Sequence, residues 1–253
     1  MINGAERESR TSAGVRRDRS DNVKLSLVIP VYNEEKKLAG TLRTCCGELE
    51  KSFDDYEIII VNDGSDDRSA DIVKELAFPK VRMISYRKNR GKGYAVRRGV
   101  LASSGDIIFY TDADLAYGTE VIKPMADMLL ECGADIVIGS RKEASGGYGD
   151  YPFVRRTASR VYSGLVKRFS GLDYDTQCGI KCFRKDAGRL VFALITTKNY
   201  AFDTEAVMLA EKLKLKIEEY PVKIIEHSGS HINLVKDSAV MLRDMMKIKN
   251  RMK

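Results

Sequence analysis

Five short runs rich in β-branched residues punctuate the first 140 positions: LSLVIPV at 25–31, EIIIVN at 57–62, VRMISY at 81–86, DIIFYT at 106–111 and ADIVIGS at 134–140. Between them, apolar residues recur every three or four positions, the period of a helix lying on a sheet. Leu38, Leu42, Cys45, Leu49 and Phe53 make one such stripe. Ser65 is placed to cap a helix carrying Ile72, Val73 and Leu76, and Thr119 to cap one carrying Ile122, Met125 and Leu129 that stops near Gly133. Strand and helix alternating in this way predict an α/β fold, an open and mostly parallel Rossmann-like sheet with helices on both faces.

Residues 1–22 mix both charges with Ser, Gly and Asn and hold almost nothing apolar, which predicts a disordered tail ahead of one domain at 23–253. After residue 141 the rhythm changes. A Gly-rich loop, SGGYGDYP, leads to a basic aromatic helix at about 153–170 and a strand near CGIKCF. A helix at about 203–213, a strand through KIEEYPVKII, the loop HSGSHIN and a basic helix at about 234–252 complete the chain. The longest apolar stretch, LSLVIPVY, is interrupted by Pro30 and is far shorter than a membrane span. Five cysteines and a polar N-terminus without a signal-peptide core predict a reducing, cytoplasmic setting. Cys178-x3-Cys182 and His227-x3-His231 echo zinc spacing, but small zinc modules keep their ligands close together, so buried thiols are the better reading.

Charge is distributed unevenly. Residues 80–100 carry eight basic side chains and no acid, 141–170 carry seven against two, and 236–253 carry six against two. An anionic partner is expected, and no nucleic-acid-binding motif accompanies the charge.

In an open α/β sheet, ligands gather where strands end. Pro30, Tyr32, Asn33 and Glu34 follow the first strand, Asn62 and Asp63 the second, Asp112 and Asp114 the fourth, and Ser140 and Arg141 the fifth. Asp112-Ala113-Asp114 puts two carboxylates on one turn, a conflict that a divalent cation resolves, and oxygen-only ligands favour Mg²⁺ or Mn²⁺. The segment Asn89-Arg90-Gly91-Lys92-Gly93 lacks the glycine and hydroxyl residues of a phosphate loop. It reads instead either as a helix N-terminus bringing Lys92 and backbone N–H groups to an anion or as a plain basic turn.

LSLVIPVYNEE, IIIVNDGSDD, the Asn-Arg-Gly-Lys-Gly segment, FYTDADLA and IGSRK, in this order, resemble the family 2 glycosyltransferases with a GT-A fold. GSRK, PFVRRTAS, DTQCGIKCF and YAFDTE are similar to the branch that makes dolichyl- or polyprenyl-phosphate sugars, especially glucosyltransferases. The resemblance implies that Pro30, Tyr32, Asn33, Glu34, Asp63, Lys92 and Ala113 surround the nucleotide sugar, and that Asp112 and Asp114 hold the metal and diphosphate. It implies that Arg141, Arg155, Ser159 and Gln177 face the acceptor phosphate and that Asp203 organises the acceptor side. Two positions depart from the pattern: Ala116, where related mannosyltransferases often carry Gln, and His231, where Lys is usual.

The implied reaction is a metal-dependent, inverting displacement that moves a hexose, glucose from UDP-glucose, to a polyprenyl phosphate. Such an acceptor is already largely a dianion at neutral pH and needs no base. A saccharide acceptor would need one, and Asp203 or Glu205 is then the candidate; a nucleotide-sugar binding module without turnover is the non-enzymatic alternative. A lipid acceptor places the protein on the cytoplasmic face of a membrane, where the helices at 153–170 and 234–252 would lie among headgroups unless their apolar sides pack on the core.

Overall fold

The computed structural model describes residues 23–142, 164, 167–168, 170–225 and 234–252, the side chains of 234–242 excepted. The tail at 1–22, most of the helix expected at 153–170 and the HSGSHIN loop lie outside the described residues. The described strands are β1 (Leu25–Val31), β2 (Tyr56–Asn62), β3 (Val81–Ser85), β4 (Ile107–Tyr110), β5 (Ile136–Ser140), β6 (Lys181–Arg184) and β7 (Ile217–Pro221). The described helices are α1 (Leu38–Ser52), α2 (Ser69–Leu76), α3 (Lys92–Ala102), α4 (Ile122–Glu131), α5 (Lys185–Leu194), α6 (Phe202–Lys212) and α7 (Leu234–Met252).

The strands form one sheet in the order β3-β2-β1-β4-β6-β5-β7. All run parallel except β6, which is antiparallel to both β4 and β5. That exception has a structural consequence. β5 ends and β6 begins at the same edge, so the connection between them starts and finishes at the carboxyl rim, beside the ends of β1, β2 and β4.

Each face of the sheet buries its own apolar layer. Leu25, Leu27 and Ile29 meet the α1 stripe of Leu38, Leu42, Cys45 and Leu49, with Met125 and Leu129 of α4 alongside. On the other face Val28, Ile59 and Val61 pack with Val96 and Val100 of α3, Phe192 of α5, and Phe202 and Ala206 of α6. At about 1.5–3 kcal/mol for each fully buried large side chain, these layers supply the main drive for folding. Pro30 lies inside β1 at little cost. The Val28 carbonyl accepts Thr111 N–H on the β4 side, the Val31 carbonyl accepts Asp63 N–H on the β2 side, and β4 has already ended opposite Pro30.

Two expected caps are corrected. α2 begins at Ser69 rather than after Ser65, because Asp67 Oδ1 accepts the Ser69 N–H at 2.9 Å, while Ser65 Oγ accepts the Asn33 N–H at 3.0 Å. α4 begins at Ile122, held by the Thr119 backbone carbonyl and not by its hydroxyl. Gly133, at φ +61°, ends α4 as expected, and Ala134 N–H returns to the Leu129 carbonyl. The helix α5 has no counterpart in the sequence reading. In α7, Met245 and Ile248 are buried and Met246 is 52% exposed, so core packing accounts for the apolar side of its described part. Cys178 and Cys182 are buried, with burial pushing the Cys178 thiol up to about 11, and His227 lies outside the described residues.

At the opposite end of the sheet, Glu57 is held by Ser26 Oγ at 2.7 Å, by Ser104 N–H at 2.7 Å and by Arg82 Nε at 2.8 Å. Burial alone would raise its pKa, but these bonds win and lower it from 4.5 to about 2. A depressed folded-state pKa stabilises above the unfolded value, so the contribution is complete above about pH 4.5 and fades as pH falls toward 2. Glu57→Gln is expected to lower stability by ~2 kcal/mol at pH 7, measured by urea unfolding, and the gap from the parent protein should shrink as the titration is repeated down to pH 3.

Candidate active site

The ends of β1 and β2 are braced against each other. Asn33, in the left-handed region at φ +56°, donates its N–H to Ser65 Oγ and accepts the Asp66 N–H on its side-chain oxygen at 2.9 Å. Glu34 N–H donates to Ser69 Oγ, and Glu35 accepts the Arg68 N–H. The Asn33 amide oxygen is therefore engaged within the protein, whereas Tyr32 beside it is 43% exposed and stands at the mouth of the rim.

Asp63 is buried, and its two oxygens accept the N–H groups of Arg90 and Gly91 at 2.8 and 2.9 Å. Gly64 permits this approach: its φ is +72°, and a Cβ there would meet the Asn89 nitrogen at 2.6 Å. The sequence reading expected those backbone N–H groups to meet an external anion. The anion they hold is the protein's own carboxylate, which corrects that expectation. Arg90 turns its guanidinium over the Tyr94 ring, 4.9 Å from the centroid.

Lys92 opens α3 and reaches the fourth strand's turn. Its Nζ lies 2.6 Å from Asp112 Oδ1. Burial works to lower the Lys92 pKa, but the carboxylates of Asp112 and Asp203 hold it above its ordinary value. Asp112 is pressed from the other side by Gly179, where a Cβ would lie 2.5 Å from Asp112 Oδ2. Asp114 Oδ1 accepts the Ala116 N–H at 3.1 Å, and the Ala113 carbonyl accepts Thr41 Oγ at 2.6 Å. Leu115 takes φ +50°, so a strained residue follows the acidic pair at once. Ala116 has a structural use: its carbonyl accepts the Ile225 N–H at 2.8 Å.

Arg141 leaves β5 into a buried two-pronged pair with Asp175, Nε to Oδ2 at 2.8 Å and Nη2 to Oδ1 at 2.7 Å. Burial opposes ionisation of Asp175, yet the Arg141 fork holds its carboxyl below the usual range. A cleft of about 270 Å³ beside this pair is lined by Lys142, Lys167, Asp173, Tyr174, Thr176 and Gln177. Gln177 Nε2 donates to Thr204 Oγ1 at 2.8 Å. Arg155, Ser159 and His231 lie outside the described residues.

Asp203 begins α6 and is 4% exposed. Its Oδ1 accepts both Tyr110 Oη at 2.5 Å and Lys181 Nζ at 2.7 Å, and Lys181 is fully buried. Burial, then the Asp203 charge, raise the Tyr110 pKa well above its ordinary value, so this hydroxyl remains a donor. Glu205 faces elsewhere, accepting Thr196 and Thr197 N–H at 3.0 and 2.8 Å and pairing with Arg251 of α7. Tyr110, Lys181, Asp175 and Thr204 were missed as site residues. Lys181 had a legible signal, a lone cation inside the apolar run CGIKCF.

Among the described residues, the buried hydroxyls of Thr111 and Ser140 have no hydrogen-bond partner. Both follow or end strands at the carboxyl rim, where a polar ligand or ordered water would complete them.

A family model described as "Glycosyl transferase family 2" matches residues 26–188. The chain belongs to that family. This family 2 glycosyltransferase is 33% identical over 247 residues to the dolichyl-phosphate beta-glucosyltransferase of Dictyostelium discoideum, a match covering 91% of this chain and 75% of that protein. It is 34% identical over 247 residues to the Drosophila melanogaster protein of the same name, covering 90% of this chain and 75% of that one. Glucosyl-3-phosphoglycerate synthase from Mycobacterium tuberculosis, solved with Mn²⁺, UDP and glucosyl-3-phosphoglycerate, superposes over 90% of this chain and 81% of its own at a TM-score of 0.67 and 19% identity. The sheet and its neighbours give a GT-A fold.

The Gly179 contact generates a direct test. Gly179→Ala inserts a methyl group into Asp112, and a displacement of about 1 Å there is expected to lower sugar transfer by about 10²-fold. Steady-state kinetics should show the loss, while the melting temperature should change little.

Proposed function

We propose that this glycosyltransferase moves glucose from UDP-glucose to a dolichyl or polyprenyl phosphate, with Mg²⁺ or Mn²⁺ at Asp112 and Asp114. The observation that carries the reading is the state of the two acids once considered as bases. Asp203 Oδ1 is loaded with two donors, one of them an ammonium, and Glu205 is fully buried against backbone N–H groups and Arg251. Both carboxylates are buried and engaged by the protein's own donors rather than turned out toward a substrate hydroxyl. A hydroxyl acceptor would need such a base. A phosphate monoester, largely ionised at neutral pH, brings its own nucleophile.

The donor set fits a hard divalent ion. Two partly exposed carboxylates on one turn, with no further cluster of acidic, His or Cys ligands among the described residues, leave most coordination positions to water and diphosphate. When bound, the ion supplies positive charge to the departing diphosphate. Lys92 adds a second cation from the helix side. The phosphate oxygen of the acceptor forms a bond to the anomeric carbon as the bond to the diphosphate oxygen breaks, and that electron pair leaves with the nucleotide. Tyr32 at the mouth of the rim and buried Asp63 frame the nucleotide end. The acceptor phosphate enters beside Arg141 and the cleft with Lys142 and Lys167.

Support for the lipid comes from the names of the relatives, and support for metal and UDP from the solved neighbour. Among the described residues no helix is long and apolar enough to cross a membrane.

The reading is tested by supplying a panel of nucleotide sugars with Mg²⁺ or Mn²⁺ and either dolichyl phosphate or free saccharides, then weighing the products. A glucosylated lipid phosphate formed from UDP-glucose is expected. Glucose appearing only on saccharides overturns the acceptor assignment. Asp114→Asn should reduce transfer by about 10²-fold or more with the fold intact, and full activity in that variant rejects the metal role.

A further inference from the structure

A lysine with no exposed surface is costly to bury, and the reaction as described gives Lys181 no direct task. Its ammonium donates to Asp203 Oδ1 at 2.7 Å and to the Cys178 carbonyl at 2.6 Å. Asp203 lies close to the start of α3, since a Cβ on Gly93 would sit 2.7 Å from the Cβ of Phe202, the residue before Asp203. Lys92, the residue before Gly93, is thus flanked by two carboxylates, Asp112 on β4's turn and Asp203 on α6, and both act on its charge. In the structure its ammonium sits on Asp112, at 2.6 Å.

We propose that Lys181 is a positioning residue that satisfies Asp203 and so leaves Lys92 on the donor side, next to Asp112 and the diphosphate. Tyr110 adds the second donor to the same Asp203 oxygen. Without the Lys181 ammonium, Asp203 would be a buried carboxylate with only a phenol for a partner, and the nearest cation able to answer it is Lys92. Lys92 would then be drawn toward α6 and away from the departing diphosphate. The Lys181 bond to the Cys178 carbonyl has a related effect, because the next residue, Gly179, is the one pressed against Asp112.

The proposal rests on the reading that Lys92 faces a nucleotide diphosphate, so UDP binding by the unaltered protein in the presence of Mn²⁺ is measured first by calorimetry. Absence of binding there defeats that reading rather than this one. Lys181→Met should weaken UDP binding by about tenfold or more. Adding Asp203→Asn removes the competing charge and should restore the affinity to within about threefold of the parent. Near-UV circular dichroism and melting confirm that each variant is folded. A folded Lys181→Met protein with parental UDP affinity overturns the proposal, as does a double variant as weak as the single one. Where Lys181→Met fails to fold, Asp203→Asn alone decides: affinity within about threefold of the parent supports the proposal, and a loss of about tenfold overturns it.

Discussion

Carboxylates crowd the carboxyl rim of this sheet, and four of them are compensated by named partners before an anion can bind there. Asp63 is answered by two backbone N–H groups, Asp112 by Lys92, Asp175 by the Arg141 fork and Asp203 by Lys181 with Tyr110. Buried ion pairs contribute little net stability, because desolvation offsets most of the attraction. Their value lies in geometry: each pair ties the end of one strand to a different element. Lys92 joins α3 to the β4 turn, Arg141 joins β5 to the connection that leads to β6, and Lys181 joins β6 to α6. The rim is held together by its charges, while the apolar layers beneath hold the sheet.

The central strands were legible because apolar runs bounded by polar turns leave few alternatives. β1 occupies the residues expected of it, and β2, β4 and β5 differ by one or two at their ends. What could not be read was direction and order. A four-residue strand such as β6 looks the same whichever way it runs, and its insertion between β4 and β5 depends on a long connection whose path the sequence does not specify. α5 was overlooked for a related reason, since it follows β6 without any intervening loop. The caps at Ser65 and Thr119 failed because neighbours competed: Asp67 captured the α2 start, and a backbone carbonyl sufficed for α4.

The site shows the same division. The residue types at strand ends could be named because a parallel sheet sends its carboxyl ends to one rim. Their partners could not, because a partner depends on which distant segment packs there. Lys92 to Asp112 spans α3 to β4, and Asp63 to Gly91 requires Gly64 to leave room for an approaching loop. The family pattern identified the acids; only packing shows that Asp63 is filled by the chain's own N–H groups.

Asp203 and Glu205 illustrate why spacing alone misassigns a base. Two residues apart on a helix, they point about 200° from each other, so they cannot share a task. Asp203 turns toward the sheet and meets Lys181 and Tyr110, whereas Glu205 turns toward the 195–197 loop and α7. Both are acids in the first turn of α6, and both are engaged by donors from other elements. Each acid is thereby committed to holding α6 in place, Asp203 to β6 and Glu205 to the 195–197 loop and α7, and neither stands exposed at the rim. Under the proposed function this is consistent, because a phosphate acceptor brings its own charge to the attack and requires no base from α6.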